Sequence, residues 1–244
     1  MCIDWKTNRS EIPEDSIVWG RYSVLPFYHE LEKDLATKGS RLINSHEQHL
    51  YVADMRNWYP DLVEFTPKTW FEGWNKIPDD KSYVLKGLTN SRKHQWNRMM
   101  FAPTKDDVRD IAGRLLDDSL ISQQGIAVRE YVPLVKLEDS IYNGLPISNE
   151  WRCFFYKDIL IQYGFYWSFS DKRPEYNDLP TEAMDLLAKV KEIVSPNINF
   201  WVVDIAFTQD KKWIVIELND GQMAGLSCIE PYKFYKFLKG VWSF

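Results

Sequence analysis

Residues 200–220 read FWVVDIAFTQDKKWIVIELND, and this stretch decides how the rest of the chain is understood. Two runs rich in Trp, Val, Ile and Phe flank a polar Thr-Gln-Asp-Lys-Lys turn, the pattern of two strands joined as a hairpin. Three oxygen side chains able to hold a metal sit on it: Asp204 in the first strand, Glu217 and Asn219 at the end of the second. Because side chains alternate across a strand, Glu217 and Asn219 share a face, and Asp204 can lie across from them on the neighbouring strand. Hard oxygens on rigid strands suit Mg2+, which keeps several waters and needs only a couple of carboxylates besides substrate phosphates.

The alternative is that Asp204 and Glu217 are ordinary acids on the wet side of a half-buried sheet. Their neighbours weigh against it. Val202, Val203, Ile205 and Ala206 flank Asp204, and Val215, Ile216 and Leu218 flank Glu217, as in strands covered on both faces. A carboxylate buried there needs a partner, and a cation is one. Carboxylates crowded around an absent metal repel one another, so neutralising Glu217 is expected to spare the metal-free fold or even strengthen it. Were Glu217 instead the partner of a buried Lys or Arg, the same change would cost about 3 kcal/mol.

Working outward, residues 149–157 (NEWRCFFYK) and 159–167 (ILIQYGFYW) predict a second hairpin, turning at Lys157-Asp158. Glu150 and Arg152 share one face of its first strand. A lone arginine in an apolar strand points to an anion, or alternatively to a cross-strand salt bridge. Alternation turns Cys153 away from Arg152, as a core thiol. Residues 82–87 (SYVLKG) form a strand that delivers Lys86 to its end, next to a loop bearing Arg92, Lys93 and Arg98. That suits phosphate binding, with Lys as a point charge and Arg as a fork; a solvated basic loop is the alternative. The GxxxxGK[ST] pattern of a P-loop is absent. Residues 126–132 (IAVREYV) read as a strand stopped by Pro133, and Glu130, Tyr131 and Val132 at its end can offer backbone groups to an adenine edge.

The N-terminal part alternates strand, helix, strand, helix, with strands at 16–20 and 41–44 and helices at 25–37 and 45–58, the latter capped by Ser45. This is the order of a small open α/β unit with a parallel sheet. His29, His46 and His49 lack a carboxylate or Cys at ligand spacing and read as structural or surface residues. Residues 104–121 predict a helix with a Thr104/Asp107 capping box and a buried stripe through Val108, Ile111, Ala112, Leu115 and Leu120. A Thr181-capped helix spans 180–194, and a short closing helix 231–238.

With 244 residues, 45% hydrophobic and 27% charged, the chain is long enough for one large domain or two sharing a cleft. A net charge of −5 argues against nucleic-acid and anionic-membrane partners. The eleven tryptophans are expected to fill the core and line grooves. Cys2, Cys153 and Cys228 match neither a zinc site nor a disulfide framework, which makes a reducing, cytoplasmic setting the default expectation. The opening MCIDWKTNRSEIPEDS lacks the apolar segment of a signal peptide, and no run approaches a membrane span.

The ordered set VLK, VREYV, EWR, VVDIA and IELND, running from Lys86 to the end of the hairpin, resembles the ATP-grasp superfamily. It is most similar to a small branch, often phage or bacterial, named for two arginines and a lysine, for which Arg129, Arg152 and Lys86 are the candidates. The resemblance implies an α/β (α+β) fold in which a small N-terminal unit, residues 1–70, precedes two α+β lobes gripping ATP, residues 71–244. It implies that Lys86 contacts ATP phosphates with help from Arg92 and Lys93, and that Glu130, Tyr131 and Val132 form the adenine hinge. Arg152 would meet the transferred phosphoryl group, while Asp204, Glu217 and Asn219 hold Mg2+. The implied activity is ligation of a carboxylate to an amine or thiol through an acyl phosphate, with small-molecule or peptide substrates; a homodimer is compatible with the sequence. A phosphotransferase using the same cleft and a non-catalytic nucleotide-binding module are the alternatives. The loop after Lys86 departs from the family, reading Thr-Asn-Ser-Arg-Lys-His where many members have a glycine-rich flap.

Overall fold

A computed structural model describes residues 8–20, 27–142 and 144–241; Cys2, and Leu25 at the expected start of the first helix, lie outside them. Strands β1 (Ile17–Val18) and β2 (Arg41–Leu42) pair in parallel, with α1 (Tyr28–Ala36) between them and α2 (His46–Ala53) following, as the N-terminal alternation predicts. Tyr28, Leu31 and Leu35 form the buried stripe of α1. Ser45 caps α2 through a reciprocal capping box with Gln48. The single helix expected over 45–58 is broken at Asp54, which leaves helical geometry (φ −95°, ψ 115°) and accepts from the Arg56 N–H at 2.9 Å. A side chain that caps the backbone this well competes with helix continuation, so α3 (Met55–Trp58) starts afresh.

Two four-stranded antiparallel sheets follow. The first has the order β3-β6-β4-β5, built from β3 (Thr69–Trp70), β4 (Tyr83–Gly87), β5 (Phe101–Ala102) and β6 (Ile126–Glu130). Helix α4 (Lys105–Leu116) packs against it through Val108, Ile111, Ala112 and Leu115, and the Thr104/Asp107 box caps it. The helix is shorter than the sequence predicts, so Leu120 lies beyond it and is exposed rather than part of the stripe. A hairpin of β7 (Lys136–Tyr142) and β8 (Leu145–Ser148), unread in the sequence, links the two sheets.

The second sheet has the order β10-β9-β11-β12, with β9 (Glu150–Tyr156), β10 (Ile159–Phe165), β11 (Phe200–Phe207) and β12 (Trp213–Asp220). Both predicted hairpins form, the first turning through Lys157 in left-handed geometry (φ 50°). Helix α5 (Thr181–Val194) covers this sheet with Ala183, Leu187, Val190 and Val194; its N-cap is Pro180, and the expected Thr181 is the first helical residue. The closing helix α6 (Pro231–Val241) runs three residues longer than predicted. Cys153 is buried in the core, as alternation predicts. That core is shared: Val52, Met55, Trp58 and Leu62 of the N-terminal part pack with Trp151, Trp201 and Val203 of the second sheet. Trp201 stacks on Phe155 with centroids 4.3 Å apart, one of several tryptophans used as the composition suggests. Among the described residues no helix is long and apolar enough to cross a membrane.

Candidate active site

Strand β11 sets Asp204 directly opposite Glu217 on β12 and Arg152 on β9, so three functional side chains meet across adjacent rungs. Asp204 is fully buried, and Arg152 fills both its oxygens: Nε donates to Oδ1 at 2.8 Å and Nη2 to Oδ2 at 2.7 Å. The lone arginine of β9 is therefore in the cross-strand ion pair, with its Nη1 donating to the Gly225 carbonyl at 3.0 Å and its plane over Tyr166. Burial opposes its charge, but Asp204 outweighs burial and raises the Arg152 pKa.

Lys86, on β4 of the other sheet, is buried and donates to Glu217 across the gap between the sheets. Burial pulls Lys86 below its ordinary value against the pull of Glu217. For Glu217 burial likewise disfavours the charge, but Lys86 and Lys93 prevail and hold the carboxyl at about 2. The repulsion expected among metal-free carboxylates is thus not what Glu217 feels; each acid of the pair already has a cation.

Two clefts open on either side of Glu217. The first, about 120 Å³, lies between the sheets and is lined by Val84, Lys86, Arg129, Trp167, Ile216 and the segment Glu130–Val132. It is an apolar slot with a few convergent polar groups, the form expected of a base-binding pocket. The backbone N–H groups of Glu130 and Tyr131, expected to be free, donate to the Lys68 and Ser82 carbonyls at 2.8 Å each. The Val132 N–H has no partner among the described residues. Arg129 is buried in this cleft, donating to Ile216 O at 2.7 Å and to Thr66 Oγ1 at 2.6 Å. No carboxylate lies within ion-pair distance of it among the described residues, and burial lowers it to about 10.

The second cleft, about 360 Å³, is polar and is lined by Arg152, Tyr166, Glu217, Asn219 and Asp220 together with His49, Val52 and Met55 of the N-terminal part. Lys93 borders both clefts and donates to the Tyr166 hydroxyl at 2.9 Å. Arg92, by contrast, borders neither. Its Nε and Nη2 fork onto Asp118 at 2.7 and 2.6 Å, tying the basic loop to the end of the α4 region. Among the described residues no three His, Cys, Asp or Glu side chains cluster as a metal site, so the expected oxygen set is two carboxylates and the Asn219 amide.

The sequence model of a family described as an ATP-grasp domain, family 3 of its clade, matches residues 73–238. The chain belongs to this ATP-grasp family. Its fold is that of the superfamily. D-cycloserine synthetase DcsG superposes with a TM-score of 0.59 at 13% identity, over 98% of this chain and 86% of that one. D-alanyl-alanine synthetase A from Vibrio cholerae O1 biovar eltor str. N16961 gives 0.55 at 14% identity, over 86% and 66%. The ATP-grasp ligase PsnB, in complex with minimal precursor, Mg and ADP, gives 0.52 at 12% identity, over 86% and 65%. No curated protein sequence matches the chain.

Glu150, which the sequence placed beside Arg152 without a role, is buried at the edge of the first cleft with Lys93 Nζ 3.8 Å away and no partner for its Oε1 among the described residues. Burial raises its pKa from 4.5 to about 6, Lys93 pulling the other way. A carboxyl raised by folding contributes stability that is complete below about pH 4.5 and is lost as pH rises through about 6. The expected result is that Glu150→Gln stabilises the ligand-free protein above pH 7 by about 2 kcal/mol and flattens this part of the profile, as read from melting curves across pH.

Proposed function

We propose that the chain is an ATP- and Mg2+-dependent ligase that activates a carboxylate as an acyl phosphate and joins it to an amine or thiol, releasing ADP and phosphate. The observation that carries this reading is the meeting of an apolar cleft and a polar cleft at Glu217, with Lys86, Lys93, Arg129 and Arg152 around the junction. ATP fits with its base in the first cleft against Val132 and its phosphates toward Lys86 and Lys93. Arg129, buried without a counter-ion, adds fixed positive charge there. Arg92 serves the phosphates only indirectly, by pinning the loop through Asp118.

The oxygen set fits Mg2+ in kind, since Glu217 and Asn219 line the polar cleft and Asp204 lies opposite Glu217. Coordination by Asp204 requires Arg152 to release one of its two oxygens. A bound Mg2+ would neutralise phosphate charge. Arg152, at the wall of the second cleft, is then placed to meet the transferred phosphoryl group. Phosphoryl transfer needs positioning and charge stabilisation more than covalent help, which is what this set of residues offers. The solved relatives described as ligases and synthetases support the same reaction class. Residues 71–244 would form the nucleotide-binding region, with residues 1–70 contributing the acceptor side of the second cleft.

The test is incubation with Mg2+-ATP, a panel of amino acids and short peptides as carboxylates, and hydroxylamine as a trapping nucleophile. ADP, phosphate and a hydroxamate are expected with at least one carboxylate. AMP and pyrophosphate as the only products would overturn the acyl-phosphate route. A stable phosphorylated product formed with no nucleophile would establish a phosphotransferase instead.

A further inference from the structure

His49 has a carboxylate partner that no sequence spacing showed. Its Nδ1 lies 2.9 Å from Asp220 Oδ2, and the imidazole is 2% exposed. Asp220 is fixed from every side: Asn44 Nδ2 and the Gln222 N–H donate to Oδ1 at 2.8 Å each, and Gln222 Nε2 donates to Oδ2 at 3.2 Å. Asn44 is itself anchored on β11, donating to and accepting from the Phe200 backbone. The imidazole stacks on Tyr28 with centroids 4.5 Å apart, which fixes the ring plane. A carboxylate facing Nδ1 makes that nitrogen the N–H donor, so in the neutral ring Nε2 carries the lone pair. Nε2 is buried and has no hydrogen-bond partner among the described residues, although His49 and Asp220 both line the polar cleft. Packing alone does not explain this. Leaving a buried ring nitrogen unsatisfied is costly, and an apolar ring on Tyr28 would avoid the cost.

We propose that His49, held by Asp220, is the recognition group for the amine nucleophile, its Nε2 accepting an N–H from that substrate in the polar cleft. The assignment rests on the ligase reading above and narrows it from amine-or-thiol to amine. The Asp220–His49 pair carries a net negative charge into the cleft, which favours an ammonium or amine over an anionic acceptor. Accepting one N–H orients the nitrogen while leaving its lone pair directed elsewhere, toward the acyl carbon near Arg152. The two halves come from different parts of the chain: His49 from the N-terminal unit, and Asp220 from the region the family model covers.

The test has two arms. Nitrogen-15 spectra of the ring-labelled wild type, with the His49 signals assigned by their loss in His49→Asn, report the tautomer without any substrate. A protonated Nδ1 with an unprotonated Nε2 is expected, and the opposite tautomer would overturn the proposal. The second arm uses whichever carboxylate forms a hydroxamate in the wild type, with glycinamide and the amino acids as amine probes. His49→Asn keeps a donor for Asp220 but lacks Nε2, so its KM for the amine should rise tenfold or more while its KM for ATP stays within about twofold. Equal loss for amine and ATP, or no change in either, would show that His49 is structural and overturn the assignment. Absence of any amine-dependent product from the wild type would overturn the ligase reading itself, and this narrower claim with it.

Discussion

Arg152→Ala is expected to lower folding stability by about 3–5 kcal/mol and to abolish measurable turnover. Asp204 is fully buried and receives both of its close hydrogen bonds from Arg152. Deleting the guanidinium leaves a carboxylate in the apolar centre of β11 with no partner, and that uncompensated charge dominates the loss. For a chain of this length the drop corresponds to a melting temperature lower by roughly 10 °C. Activity should fall on the order of 10³-fold or more, since a positioned arginine at a transferring phosphoryl group contributes at least that much. The two effects separate in the double replacement Arg152→Met/Asp204→Leu, where apolar groups substitute for the ion pair. Stability should return to near the wild-type value while turnover stays absent. Arg152→Lys keeps the charge but not the fork, and should recover part of the stability and little of the rate. Turnover near the wild-type level in any of these variants would remove Arg152 from the reaction. Melting curves and ADP release on the same preparations check all of them.

The hairpin at residues 200–220 was readable because both of its strands are long and apolar and its turn is sharply polar. Its register was readable for the same reason, and Asp204 does sit opposite Glu217. Lys86 at the end of β4 and the segment after β6 were legible as strand ends, and both border the apolar cleft. What stayed hidden was the partner of each charge. Arg92 binding Asp118, Lys86 meeting Glu217 across two sheets, and His49 finding Asp220 are contacts 26, 131 and 171 residues apart, and no local pattern encodes them. Two-residue strands such as β3 and β5 carry too little sequence for alternation to register. The β7–β8 hairpin is polar (KLEDSIY) and was passed over for lack of an apolar face. The break at Asp54 could have been seen: an Asp followed by a short amphipathic turn is a helix restart signal. The expected repulsion between metal-free carboxylates failed because alternation places the acids but says nothing of the lysine and arginine that reach them from other strands.

Glu217 is the residue on which the two clefts, Lys86 and the proposed Mg2+ all converge, and Glu217→Gln separates the consequences. Folding holds its carboxyl at about 2, so the pair it makes is intact at neutral pH and is lost only as pH falls from about 4.5 through 2. Removing the charge leaves the buried Lys86 ammonium without its carboxylate, at a cost of about 3 kcal/mol in the ligand-free protein. The same change removes one of the two carboxylates proposed for Mg2+ and the acid between the phosphate-binding lysines. Nucleotide at about 100 times its Kd stabilises the wild type by about 2.7 kcal/mol, and the variant should show almost none of that gain. The most direct measurement is therefore a set of four melting curves: wild type and Glu217→Gln, each alone and with saturating Mg2+-ATP. A variant that melts earlier alone and gains little from Mg2+-ATP is the predicted result; one that melts earlier alone yet keeps the full Mg2+-ATP shift would contradict the placement of the nucleotide and its metal at this residue.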